Sequence, residues 1–154
     1  MSTTVRVCTT ISASVATTWA AVERIETHVE WMADALSISF TTDQHRGVGT
    51  VFECVTGVGR AHLTDTMSIT EWRPLESMGV EHRGVVTGRG RFTLEPAGTD
   101  QTRFCWEEQL VFPWWLGAGV GGRVAQPLLS RVWSGNLRRL KLMVERQAGS
   151  PATT

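Results

Sequence analysis

Apolar residues recur at every second position through most of this chain, and at every third or fourth in two stretches. The first segment, Val5 to Ile11, sets Val5, Val7 and Ile11 against Arg6, Cys8 and Thr10, the alternation of a half-buried strand. The period then lengthens. Ser12 or Ser14 can cap a helix carrying Val15, Trp19, Val22 and Ile25 or Glu26, and a second short helical piece is expected over His28 to Met32. Period two returns with Leu36, Ile38 and Phe40 facing one way. A turn at Arg46 to Gly49 leads to a strand over Thr50 to Thr56, and Gly57 and Gly59 turn the chain again. Ala61, Leu63, Met67 and Ile69 share the next strand face with Asp65, and Pro74 ends that strand because it has no N–H for the ladder. Met78, Val80 and His82 share a face. Gly84, Gly88 and Gly90 are read as bracketing a turn, after which Phe92 and Leu94 continue the apolar side. Phe104, Trp106, Leu110 and Phe112 then line one face of a long strand, with Glu108 among them.

The C-terminal part has a different grain. Pro113 to Gly122 is irregular and glycine-rich yet carries Trp114, Trp115 and Leu116. From Gly122 or Arg123 to Gln147 the spacing is helical, with a stripe of Leu129, Val132 or Trp133, Leu137, Leu140 and Val144. Pro127 is tolerated only near a helix start, which puts the beginning of the helix proper there. The order strand, two short helices, six strands, long helix describes an antiparallel meander whose apolar inner face must be covered, and the long helix is the cover available. With no internal repeat and no linker, residues 1–147 read as a single domain and 148–154 as a disordered tail.

That order and several local marks resemble the START/Bet v 1-like (SRPBCC) superfamily, most of all its polyketide cyclase/dehydrase and lipid-transport branch. The marks are the opening strand into SVATTWAAVERIETHVEW, GVGTVFE, ITEWRP, TRFCWEE and the closing helix, together running from Val5 to about Gln147. The resemblance implies an α+β helix-grip fold: a curved seven-stranded antiparallel sheet around a long C-terminal helix, with two short helices after the first strand. It also implies a small hydrophobic ligand (a lipid, a polyketide or an aromatic molecule) held between sheet and helix. In this fold the first and last strands lie side by side, which would bring Cys8 and Cys105 close on the outer face. No catalytic signature comes with the family.

Composition narrows the partners. Fifteen basic residues balance fifteen acidic ones, so no global field recruits nucleic acid or an anionic membrane. The basic run at Arg138, Arg139 and Lys141 lies between apolar stripe positions and reads as a solvated helix face. Cys8, Cys54 and Cys105 make an odd count without metal-type spacing and are expected to be free thiols in a reducing, cytoplasmic compartment. The N-terminus lacks the basic start and apolar run of a signal peptide, and no stretch has the length of a membrane span, so no stable membrane insertion is expected. The four histidines lack metalloenzyme spacing, and the glycine patterns GVGRAH and GRGRF do not open a helix after a strand. No cofactor or metal is expected. A monomer or homodimer is.

Alternation nominates the site. His82, Glu108 and Asp65 each share a strand face with large apolar neighbours, and buried charges must be paired, hydrated or shifted in pKa. They are the candidate catalytic groups. His82 can carry a proton to a ligand or simply be satisfied by Glu108; Asp65 reads as a structural partner at a strand bend. Glu53 has an ambiguous face. The expected lining from the strands is Phe40, Met67, Ile69, Met78 and Val80, continued by Phe92, Phe104, Trp106 and Leu110. Trp31 would reach in from the short helix, Leu129 and Trp133 from the long one, and Trp115 from the glycine-rich segment. Trp114 and Trp115 read as a lid, a plug or an exposed anchor for a protein or membrane; Trp72, opposite Ile69, is expected to be partly exposed. Three functions follow: a carrier of an apolar ligand, a cyclase or dehydratase using His82 with Glu108 or Asp65, or an interaction module.

Overall fold

The computed structural model describes residues 2–116 and 121–149, without the side chains at 58, 116 and 121–123. Strand β1 (Ser2–Ile11) is followed by helix α1 (Val15–Val22) and a 3-10 helix (Ile25–Glu30). Six strands come next: β2 (Ala35–Phe40), β3 (Val51–Val58), β4 (Ala61–Arg73), β5 (Ser77–Arg83), β6 (Thr87–Gly98) and β7 (Gln101–Val111). A 3-10 turn (Trp114–Leu116) and helix α2 (Gly121–Gly149) complete the chain. The strands form one antiparallel sheet in the order β1-β7-β6-β5-β4-β3-β2, the meander that the alternation implies, with β1 folded back beside β7. This is the α+β helix-grip architecture.

Local chemistry explains the elements. The Ser14 side chain accepts from Thr17 N at 3.1 Å and so satisfies one orphan donor of α1. Trp133, Leu137, Leu140 and Val144 make the buried stripe of α2, while Arg138 and Arg139 stay on its wet face. The far end of α2 is tied to the end of β1: Lys141 Nζ donates to Thr10 O at 2.8 Å, and Ser12 N donates to Glu145 at 2.9 Å. Midway, the buried Asn136 accepts from Ala33 N (3.0 Å) and donates to Asp34 (2.7 Å), so the helix holds the approach to β2 in place.

Several details depart from simple periodicity. Helix α2 begins six residues before Pro127, which therefore lies inside it and leaves the carbonyl of position 123 without its usual donor. At its other end α2 runs through Ala148 and Gly149; positions 150–154, expected to be disordered, lie outside the described residues. The short helical piece falls at Ile25–Glu30, earlier than His28 to Met32. Gly88 and Gly90 are not in a turn but inside β6. A bulge between Ala35 and Ser37 takes Leu36 off the inner face, leaving it 48% exposed while Ala35 is buried. A second irregularity between Ile69 and Glu71 puts Trp72 opposite Met78, where its ring meets Trp19 edge-on at 5.4 Å. Phe52 and Cys54 form the inner set of β3, and Glu53 is exposed.

The cysteines correct an expectation. Cys8 and Cys105 are directly opposite across β1 and β7, with Cα atoms 4.1 Å apart, and form a disulfide rather than two free thiols. Cys54 alone is a free thiol, and it is buried.

Two outcomes are expected. Alkylation of the denatured, unreduced protein should label Cys54 only, and prior reduction should expose all three cysteines and destabilise the fold by about 2–4 kcal/mol, since the bond closes a long loop. Three labelled cysteines without reductant would contradict the bond. In Asn136→Ala the Ala33 N–H loses its acceptor, which should cost about 2 kcal/mol, roughly 4–8 °C in Tm by thermal denaturation.

Candidate functional site

Inner-face side chains of β3 to β7 and the facing side of α2 do not meet everywhere. Between them lies a cavity of about 260 Å³ lined mostly by apolar groups. Its walls include Met67 and Ile69 of β4, Met78 and Val80 of β5, Phe92 of β6 and Leu110 of β7. Leu129 and Trp133 of α2 close it from the other side. The indoles of Trp106 and Trp133 stack across the sheet–helix gap at 4.8 Å.

Into this apolar wall the sheet sets an ion pair. His82 Nε2 lies 3.0 Å from Glu108 Oε2, with both side chains almost wholly buried. They come from β5 and β7, which are separated by β6 and so by roughly 10 Å of backbone. They meet because β6 has no side chains in the way. Gly88 lies opposite His82 and Leu110, and Gly90 lies opposite Val80 and Glu108. A Cβ on Gly90 would collide with the Glu108 carboxylate. The other Glu108 oxygen is fixed: Trp106 Nε1 donates to Oε1 at 2.9 Å. With His82 at 3.0 Å as its close partner, Glu108 Oε2 still has a lone pair to offer a third group.

The remaining polar lining is arranged around this pair. Asp65 is buried and accepts from Val85 N at 2.9 Å, tying β4 to the turn between β5 and β6. Asp34 and Cys54 also face the cavity. Burial first, then the fields of Asp34 and Asp65, push the Cys54 thiol up to about 11, so it is a neutral wall group and not a nucleophile. His28, from the 3-10 helix, donates through Nε2 to Val22 O at 2.7 Å and rests against Trp31 and Phe92.

The two cavity histidines are tuned in opposite directions. Burial lowers His28 to about 4, against the weaker help of its Val22 hydrogen bond and Glu26. Burial also opposes charge on His82, but the contact with Glu108 and the fields of Glu108 and Asp65 outweigh it and raise the pKa above 6.5. His28 is thus held neutral while His82 is the imidazole that takes up a proton more readily, a difference that separates acceptor from acid.

The strands and α2 bring most of the expected lining together, including Asp65, His82 and Glu108. Four residues fall elsewhere. Trp31 and Phe104 are fully buried one layer behind the wall, each packed on Phe92, because the inner face is two side chains deep there. Phe40 stacks on His45 at 4.0 Å, beyond the cavity. Trp115 is 60% exposed and Trp114 80%, so they neither plug the cavity nor cover it. Alternation missed His28, Asp34 and Cys54. The first two lie outside any period-two run; Cys54 had a signal in sharing a face with Phe52. Among the described residues no group of three or more His, Cys, Asp or Glu side chains could hold a metal, and no helix is long and apolar enough to cross a membrane.

Histidine proton resonances followed by NMR should titrate above 6.5 for His82 and near 4 for His28. In Glu108→Gln the His82 value should fall, since burial is then opposed only by the field of Asp65; an unchanged value would break the pairing. In stability the signs differ. His82 contributes fully below pH 6.5 and its contribution is lost as pH rises through its folded value, whereas buried neutral His28 favours the fold at high pH and costs stability as pH falls from 6.5 toward 4.

Comparison with known proteins agrees with this architecture. A crystal structure of TTHA0849 from Thermus thermophilus superposes with a TM-score of 0.82 at 17% identity, over 96% of this chain and 99% of that one. The ZhuI aromatase/cyclase from a Streptomyces species gives 0.79 at 14% identity, over the whole of both chains. The di-domain ARO/CYC StfQ from the steffimycin biosynthetic pathway gives 0.76 at 15% identity over 97% of this chain, and 53% of StfQ is covered. At these identities the likeness establishes the fold. No curated protein matches the chain. The family described as polyketide cyclase / dehydrase and lipid transport matches residues 2–145, nearly the full length, and the protein belongs to that family.

Proposed function

We propose that the protein binds one small hydrophobic or aromatic molecule in the cavity between sheet and α2, as a carrier or sequestering protein. The supporting observation is the cavity itself, an apolar hollow of about 260 Å³ in a fold otherwise well packed. Interiors normally close to near-crystalline density, so a hollow of this size marks a place built for something else. Burying ligand surface there is worth about 25 cal/mol per Å², and the stacked Trp106 and Trp133 offer flat faces to a ring. The family's description, which names lipid transport, supports the same reading. A cytoplasmic location belongs to it as well; there the Cys8–Cys105 bond would face a reducing pool, on the sheet face away from the ligand.

The buried His82–Glu108 pair favours a second reading, an enzyme of the cyclase or dehydratase kind. A cationic imidazole beside a carboxylate can give and take a proton at a ligand oxygen or carbon, and ZhuI and StfQ carry the names of aromatase/cyclases. Asp65 is less suited, since one of its oxygens already accepts from Val85 N. The exposed Trp114 and Trp115 suit a third role, contact with a protein or membrane surface.

Uptake of the neutral fluorophore N-phenyl-1-naphthylamine, read by its emission and by tryptophan quenching, tests the carrier reading. The wild type should bind it with micromolar affinity. Val80→Trp, which fills the hollow, should lose at least tenfold in affinity while keeping its Tm within a few degrees; no uptake by the wild type, or equal uptake by both, would refute it. An enzyme would show turnover that drops by orders of magnitude in His82→Ala and Glu108→Gln, and turnover untouched by either would remove that reading.

A further inference from the structure

We infer that the cavity selects ligands by charge, taking apolar molecules whose head group donates hydrogen bonds, a hydroxyl or an ammonium, and rejecting carboxylates. This rests on the binding role proposed above and names the chemistry of its ligand.

Formal charge in the lining is one-sided. Asp34, Asp65 and Glu108 contribute three carboxylates. Against them stands His82, whose charge is already matched by Glu108 at 3.0 Å. His28 is held neutral by burial. The remaining cationic residue of the lining, Arg91, is turned to the outer face of the sheet: its Nε and terminal nitrogen grip the two oxygens of Glu71 at 3.0 and 2.9 Å. Among the described residues, then, no cation is free inside the cavity to receive an anion.

The carboxylates also keep room for a donor. In Asp34, Asp65 and Glu108 alike, one oxygen carries a hydrogen bond, from Asn136, Val85 N and Trp106 respectively. Among the described residues the second oxygens of Asp34 and Asp65 meet no donor, and that of Glu108 meets only His82, at 3.0 Å. For Glu108 that oxygen is in a residue only 4% exposed, so water does not readily supply a further bond. A carboxylate oxygen with a lone pair to spare takes a further donor, and a ligand hydroxyl or ammonium is such a donor. A ligand carboxylate would bring a further negative charge into a low-dielectric hollow beside Asp34 and Asp65, which form no ion pair within 4.0 Å among the described residues.

The test uses four probes on one ring: 2-naphthol, 2-(aminomethyl)naphthalene, 2-acetylnaphthalene and 2-naphthoate, each displacing N-phenyl-1-naphthylamine from the wild type at pH 7.5. Naphthol and the amine should displace it at concentrations at least tenfold below those of naphthoate, with the acceptor-only ketone in between. In Asp34→Asn the gap between amine and naphthoate should narrow several-fold. Naphthoate binding as tightly as naphthol overturns charge selection and leaves the binding role standing. A folded protein that takes up neither the fluorophore nor any of the four probes overturns both.

Discussion

The site depends on a missing pair of side chains. Neighbouring strands hold their residues about 4.8 Å apart, so two groups on β5 and β7 would ordinarily be screened from each other by whatever β6 carries between them. Gly88 and Gly90 carry nothing, and the trough they leave lets His82 and Glu108 meet over the bare backbone. The same trough deepens the hollow under α2, because two inner positions that would otherwise fill it are empty. Pairing makes the burial of the charges tolerable, and the glycines make the pairing possible.

Around that trough the fold distributes two tasks. One half of the inner face is solid: Trp31, Phe92, Phe104 and Trp106 form an aromatic cluster with ring centroids 5.3–6.1 Å apart, and α2 seals the β1 side with Leu137, Leu140 and Val144. The other half, toward β3, β4 and β5, stays open. Asn136 fixes α2 to the loop before β2, beside the cavity residue Asp34. Rigidity on one side and space on the other is what a protein needs to hold a ligand without collapsing when empty.

Much of this was legible in the residues. Uninterrupted alternation in β7 placed Trp106, Glu108 and Leu110 together, and the spacing of Trp133, Leu137, Leu140 and Val144 announced the buried face of α2. Where alternation failed, a local event interrupted it. The bulges at Ala35/Ser37 and Ile69/Glu71 each reset the phase, which is why Leu36 faces out and Trp72 packs on Trp19. Glycine was ambiguous in a different way: Gly88 and Gly90 look like turn residues in one dimension, and only the partner strands show that they are the floor of a site. The depth of the core was illegible for a third reason, since alternation reports which face a residue takes but not how many layers lie behind it, as with Trp31 and Phe104. The closeness of Cys8 and Cys105 followed from the family resemblance, which sets the first and last strands side by side, but the bond between them did not follow from an odd count of cysteines.

An apolar molecule should sit inside, between sheet and helix, and not on the exposed apolar side chains nearby. Intermolecular nuclear Overhauser effects from bound N-phenyl-1-naphthylamine to methyl-labelled protein decide it most directly. Contacts to Val80, Leu110 and Ile69 on the cavity wall are expected. Contacts confined to Val124 and Leu128, on the outside of α2, would contradict the account.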